Sequence, residues 1–107
     1  MSNYCIITTT ASTKDEAKAL AKGLLSSHLA SCIQIQPIES LYIWEGKLQE
    51  DSEYLLTIKT RSTHYKNVEK FILENHSYNT PEIIKIDIND GSKSYLKWID
   101  ETTAPKE

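Results

Sequence analysis

The chain has 107 residues, a formal net charge of −3 at neutral pH, 39% hydrophobic residues and 25% charged residues. This length fits one domain whose core is large enough to fold without disulfides or a structural metal. The acidic balance excludes a whole-chain electrostatic footprint for nucleic acid or an anionic membrane, and no apolar run approaches the roughly 18 residues that span a bilayer.

Met1-Ser2-Asn3-Tyr4 shows no basic region followed by an apolar one, so no secretory signal is read and the cytosol is the expected location. Tyr4 to Thr9 is rich in β-branched residues and predicts a buried strand. Thr13-Lys14-Asp15-Glu16 is a capping box that opens a helix running to about Ala30. Ala17, Leu20, Ala21, Leu24 and His28 fall on its inner face.

Ser31 to Trp44 reads as extended, with Ile33 and Ile35 on one side and Cys32, Gln34 and Gln36 on the other. Pro37 cannot donate to a ladder and marks an edge or a bend. Glu45-Gly46-Lys47 is a tight turn, and Leu48 to Thr60 returns with Tyr54, Leu56 and Ile58 alternating against Glu53, Leu55, Thr57 and Lys59. The pair predicts a long β-hairpin.

A second helix follows, capped near Ser62 or Thr63, with Tyr65, Val68, Phe71 and Ile72 inward. Residues 76–81 form a loop, and Glu82 to Ile88 a strand with Ile84, Ile86 and Ile88 on one face. Asn89-Asp90-Gly91 signals a turn. Ser92 can cap a short third helix carrying Tyr95, Leu96, Trp98 and Ile99, and fraying is expected from Thr102 to Glu107.

The order βαββαβ plus a short helix predicts an α+β, ferredoxin-like sandwich over residues 1–107, with its core at about 4–100. Helices cover one face of its sheet. Tyr42, Trp44, Tyr54 and nearby aliphatics carry more apolar surface than one helical layer hides, so the sheet and hairpin are expected to pack on sister subunits.

Chemistry concentrates on His76-Ser77-Tyr78-Asn79-Thr80-Pro81-Glu82. An imidazole, a phenol and a carboxylate in one loop can bind a metal or relay a proton. The plainer reading has His76 meeting the last helix carbonyls while Pro81 starts the strand. Glu53 and Lys59 share a strand face; Lys59 can hold an anion, or form an ion pair with Glu53 or Glu82. Trp44, Trp98 and Tyr95 can line a pocket or serve as core or interface. His28 and His64 read as helix-surface residues.

Cys5 and Cys32 form no metal-type spacing and read as buried small hydrophobes. No GxGxxG, phosphate loop, GxSxG or HExxH occurs, and basic residues do not cluster with aromatics as a nucleic-acid-binding sheet requires.

Several spaced motifs, from Leu29-Ala30-Ser31-Cys32-Ile33-Gln34-Ile35 through Ser40-Leu41-Tyr42-Ile43-Trp44-Glu45-Gly46-Lys47, Glu53-Tyr54-Leu55-Leu56-Thr57-Ile58-Lys59-Thr60 and His76–Ile84 to Tyr95-Leu96-Lys97-Trp98-Ile99, resemble CutA, the divalent-cation tolerance proteins. The resemblance spans roughly residues 4–100. It implies a ferredoxin-like homotrimer, similar in architecture to PII-type signalling proteins, with hairpins crossing between subunits. It also implies an intersubunit cleft formed by Cys32, Trp44, Glu53, Lys59, His76, Tyr78, Glu82, Tyr95 and Trp98.

Two departures stand out. Thr8-Thr9-Thr10 occupies the place where some members carry a cysteine, and Asn75-His76-Ser77-Tyr78 the place where some carry two histidines before Pro-Tyr. These are the soft and imidazole ligands that copper favours.

The first functional expectation is therefore a trimeric protein that binds a divalent metal, copper in type, through His76 and Glu82, and acts in metal tolerance. The second is a PII-like regulatory module that binds a small anion, with Lys59 holding it and Trp44 and Tyr78 as walls. An enzyme using His76, Tyr78 and Glu82 ranks last because no nucleophile or complete relay is visible.

Overall fold

The computed structural model describes residues 2–104. Strand β1 (Tyr4–Ala11) lies inside a four-stranded antiparallel sheet. Strands β2 (Cys32–Trp44) and β3 (Lys47–Arg61) form the hairpin, and β4 (Ile84–Ile88) closes the other edge, giving the order β2-β3-β1-β4. The three helices are α1 (Lys14–Ser26), α2 (Tyr65–Asn75) and α3 (Lys93–Thr102).

Register decides which side chains meet the helices. Cys5, Ile7 and Thr9 pair with Thr60, Ile58 and Leu56, and all six are fully buried. With Ala17, Leu20 and Leu24 of α1 and Val68 and Ile72 of α2, the apolar members of this set make the core. Each large aliphatic there contributes about 1.5–3 kcal/mol relative to exposure. The other sheet face carries Tyr4, Ile6, Thr8 and Thr10 from β1, Glu53 through Arg61 at alternate positions from β3, and Ile84, Ile86 and Ile88 from β4. We call it the open face. Ile84 and Ile86 are each half exposed on it.

The hairpin turn is Glu45-Gly46, with φ of 51° and 77°. Two consecutive left-handed residues are the type I′ geometry that matches strand twist. Pro37 sits opposite Tyr54 with no break in the pairing. It is tolerated because β2 is an edge strand. Beyond the sheet body, both faces of the hairpin expose apolar groups: Leu41, Ile43 and Leu48 on one, Tyr42 and Trp44 on the other.

Several boundaries differ from the sequence expectation. Helix α1 stops at Ser26 rather than near Ala30. His28 adopts φ 59°, Leu29 N–H donates to Leu24 O (3.0 Å) and His28 N–H to Leu25 O (3.1 Å). This is a Schellman stop, so His28 leaves the helical face and is half-buried. Helix α2 is entered through a 3₁₀ turn at Ser62–His64, without the expected side-chain cap. Strand β4 starts at Ile84, two residues late.

His64 is not a plain surface residue: its Nε2 lies 2.7 Å from Thr103 O. The expected fraying from Thr102 does not begin there. Thr102 ends α3, while Thr103 is fully buried and accepts a hydrogen bond from Arg61 Nε at 2.9 Å. Residues 105–107 of that expected tail lie outside the described residues.

Helix α3 does not join the α1–α2 layer. Tyr4 and Arg61, which it meets at Asp100, and Lys59, which it meets at Tyr95, belong to the open face. It covers one end of that face and leaves the rest uncovered.

Gly23 of α1 faces the Phe71 ring of α2, and a Cβ there would come within 2.4 Å of its Cζ. Gly23→Ala gains about 1 kcal/mol of helix propensity but costs about 1–3 kcal/mol in overpacking. The expected result in urea unfolding is a net loss of stability; a gain would mean that Phe71 can move aside freely.

Candidate functional site

The nine residues expected in one cleft divide into two groups on the open face. Glu53, Tyr78, Glu82 and Trp44 line one groove, with His76 behind it. Cys32, Lys59, Tyr95 and Trp98 lie toward the other end, where α3 docks. Glu53 and Lys59 are six residues apart on one strand, about 20 Å at the ordinary rise.

The expected Lys59–Glu53 or Lys59–Glu82 ion pair is therefore not formed within the chain. Lys59 Nζ instead sits 5.6 Å over the Tyr95 ring. Glu53 accepts from Tyr78 Oη (2.8 Å), and Glu82 from Thr8 Oγ1 (2.9 Å). Cys5 is buried as expected, and burial pushes its thiol pKa up; Cys32 is only half-buried.

His76 caps the C-terminus of α2, but it does not turn to the helix carbonyls. Strand β4 pairs with β1 only as far as Thr8, so beyond that point the outer edge of β1 has no strand partner. The His76 ring fills the gap, with Nε2 2.6 Å from Thr10 O. Its Nδ1 accepts Tyr78 N–H at 3.0 Å. A ring that donates from Nε2 and accepts at Nδ1 is the neutral imidazole with its proton on Nε2. Its side chain is fully buried. His76 was expected to serve a metal, and both of its ring nitrogens are occupied by backbone in this conformation.

Glu16 completes the anchorage. One oxygen serves the start of α1 through Ser12, and the other accepts Ser77 N–H at 2.9 Å. It also lies 3.8 Å from His76 Nδ1. Burial alone would raise its pKa, but the hydrogen bonds from Ser77 and Ser12 outweigh burial and hold it below the usual carboxylate value.

With the loop fixed, a groove of about 680 Å³ opens between it and the hairpin. Glu39, Tyr42 and Trp44 come from β2, Glu53 from β3, and Tyr78 and Glu82 from the loop. Glu53 is only 8% exposed. Burial and the Glu53 carboxylate hold the Tyr78 phenol above its ordinary pKa, with further contributions from the charges of Glu16 and Asp51. Among the described residues, no Lys, Arg or His lines the groove. Its chemistry suits cations, and Glu39, Glu53 and Glu82 are its hard oxygen donors. Among the described residues, no three His, Cys, Asp or Glu side chains group closely enough within one chain to hold a metal ion.

Sequence reasoning missed Glu16 as a loop anchor, because a capping box already accounts for a Glu at that position. It also missed Glu39 as a groove residue. Parity places Glu39 on the α1–α2 side of β2, yet it lines the groove.

Comparison with known proteins gives a consistent result. A family model described as CutA1 divalent ion tolerance protein matches residues 5–102. The chain is 43% identical over 102 residues to the divalent-cation tolerance protein CutA of Archaeoglobus fulgidus, covering 95% of this chain and 98% of that one. It is 40% identical over 99 residues to the chloroplastic protein CutA of Arabidopsis thaliana, covering 92% of this chain and 54% of that one. The crystal structure of CutA1 from Oryza sativa superposes with a TM-score of 0.94 at 38% identity, covering 98% and 97% of the two chains. The structure of the periplasmic divalent cation tolerance protein CutA from A. fulgidus gives a TM-score of 0.92 at 42% identity, covering 94% and 98%.

Glu16 has a depressed pKa in the folded chain, so its ionised contacts stabilise fully above the ordinary carboxylate value of 4.5 and are lost as pH falls through the lower folded value. Glu16→Gln is expected to cost about 1 kcal/mol at neutral pH, as a weakened charged hydrogen bond. In urea unfolding, the difference from wild type should stay flat down to about pH 5 and shrink below about pH 4.5. A difference unchanged at pH 3 would remove the Glu16 charge from the account.

Proposed function

The chain belongs to the CutA1 divalent ion tolerance family, and from that premise we propose that it is a homotrimeric, cytosolic binding protein for divalent cations, copper-type ions included, that contributes to metal-ion tolerance. The observation that carries this reading is the groove with three carboxylates and, among the described residues, no basic side chain. Glu53 and Glu82 are its ligands, with Glu39 at the rim. Because no cluster of three ligands forms within one chain among the described residues, the site takes donors from more than one copy. The exposed apolar hairpin and the half-exposed Ile84 and Ile86 supply the surface for that assembly.

In this reading His76 braces the loop that carries Glu82. A copper ion that prefers imidazole would have to release the ring from Thr10 O or Tyr78 N–H. The relatives are named as tolerance proteins, and the function proposed is binding rather than catalysis. The two free thiols suit the reducing conditions of the cytosol.

One observation favours a second reading, a PII-like module for a small anionic ligand. Lys59 has no carboxylate within 4 Å among the described residues and stands over Tyr95 near Trp98. That site would use the α3 end of the open face, away from the acidic groove.

Titration calorimetry with Mn²⁺, Zn²⁺ and Cu²⁺, beside light scattering for mass, tests the first reading. The expected mass is three times that of the 12.2 kDa chain. Glu82→Gln and Glu53→Gln should each weaken binding by about tenfold. His76→Ala should lower stability more than affinity. Equal binding by wild type and both glutamine variants would take the groove out of the account.

A further inference from the structure

The groove between the hairpin and the 78–82 loop has walls that a hydrated metal ion does not use. Trp44, Tyr42 and Tyr78 line it together with the carboxylates. Glu53 is 8% exposed, has no cationic partner within 4 Å among the described residues, and has one hydrogen bond, from Tyr78 Oη. A buried carboxylate without a counter-charge is costly unless something pairs with it.

We propose that this groove is a site for an organic cation, a primary ammonium or guanidinium head group that meets Glu53 beside the Trp44, Tyr42 and Tyr78 rings. This deepens the cation reading given above and rests on its assignment of the groove to cations. A divalent metal needs several ligand atoms at about 2.0–2.6 Å, and among the described residues no such cluster of three side chains forms within one chain. An ammonium needs less: one carboxylate for a charge-assisted hydrogen bond and ring faces for cation–π attraction. The carboxylates of Glu53, Glu16 and Asp51 all act on the Tyr78 phenol, so the potential around this ring is negative. Glu39 and Glu82, on opposite walls, suit a second positive group and favour a diamine over a monoamine.

The same head group is carried by a free amine and by a lysine of a second copy of this chain. Lys59 is the residue to remove in separating the two, since it lies on the open face with no carboxylate within 4 Å among the described residues.

The test uses 1,4-diaminobutane and agmatine as probes and succinate as the control. It reads calorimetry, Trp44 fluorescence and thermal shift on wild type, Glu53→Gln, Trp44→Leu and Lys59→Met. Either amine should bind and raise the melting temperature, while succinate should not. Glu53→Gln should weaken binding by about tenfold or more. Its amide oxygen still accepts from Tyr78, and circular dichroism checks that the fold is kept. Trp44→Leu, which removes the indole ring from the groove wall, should weaken binding by roughly threefold to tenfold, with light scattering checking that the assembly is kept.

Binding to wild type assigns the head group to a free amine. Binding only after Lys59→Met assigns it to a second copy. Binding in neither protein, or equal binding to Glu53→Gln, overturns the proposal. Mn²⁺ binding without amine binding would overturn this inference and leave the metal reading standing; amine binding without Mn²⁺ binding would do the reverse.

Discussion

Strand β3 runs for fifteen residues from the hairpin turn to the entry of α2, and its pairing with β2 and β1 contains no bulge. Parity along this one strand therefore assigns every neighbour to a face. Leu56, Ile58 and Thr60 go to the helices, while Glu53, Leu55, Thr57 and Lys59 go to the open face. A one-residue slip would send the core to solvent and the acidic groove into the core, so the hydrophobic pattern and the tight Glu45-Gly46 turn hold the same register. Core and candidate site both follow from that constraint.

The open face has two chemically different ends. One is acidic and is built against a loop that the backbone holds rigidly: His76 spans from the Thr10 carbonyl to the Tyr78 N–H, and Glu16 holds Ser77. The other is aromatic and basic, with Lys59 over Tyr95 and α3 laid across the strand ends. The separation of about 20 Å keeps these charges from neutralising each other within one chain.

Much of this was legible from residue order. The alternation from Glu53 to Lys59, the isoleucine triplet of β4, the caps at Thr13 and Ser92 and the Glu45-Gly46 turn are local signals, and they give elements, faces and sheet order. The site was legible as a list of residues but not as two places. Alternation says that Glu53 and Lys59 share a face; it does not say what lies between them or which carboxylates meet which donors. His76 shows the limit most clearly. A histidine before Tyr78 and Glu82 carries the sequence signature of a ligand, yet the feature that occupies it is the missing strand partner of Thr10, sixty-six residues away in sequence. A helix stop at a left-handed histidine is also hard to read, because only the φ of His28 shows that the turn has ended.

Pro37 lies midway along β2, with the outer edge of that strand open. An incoming strand would need a continuous row of backbone N–H donors along this edge, and at Pro37 the row is interrupted. Lateral extension of the sheet through this edge is thereby disfavoured at Pro37.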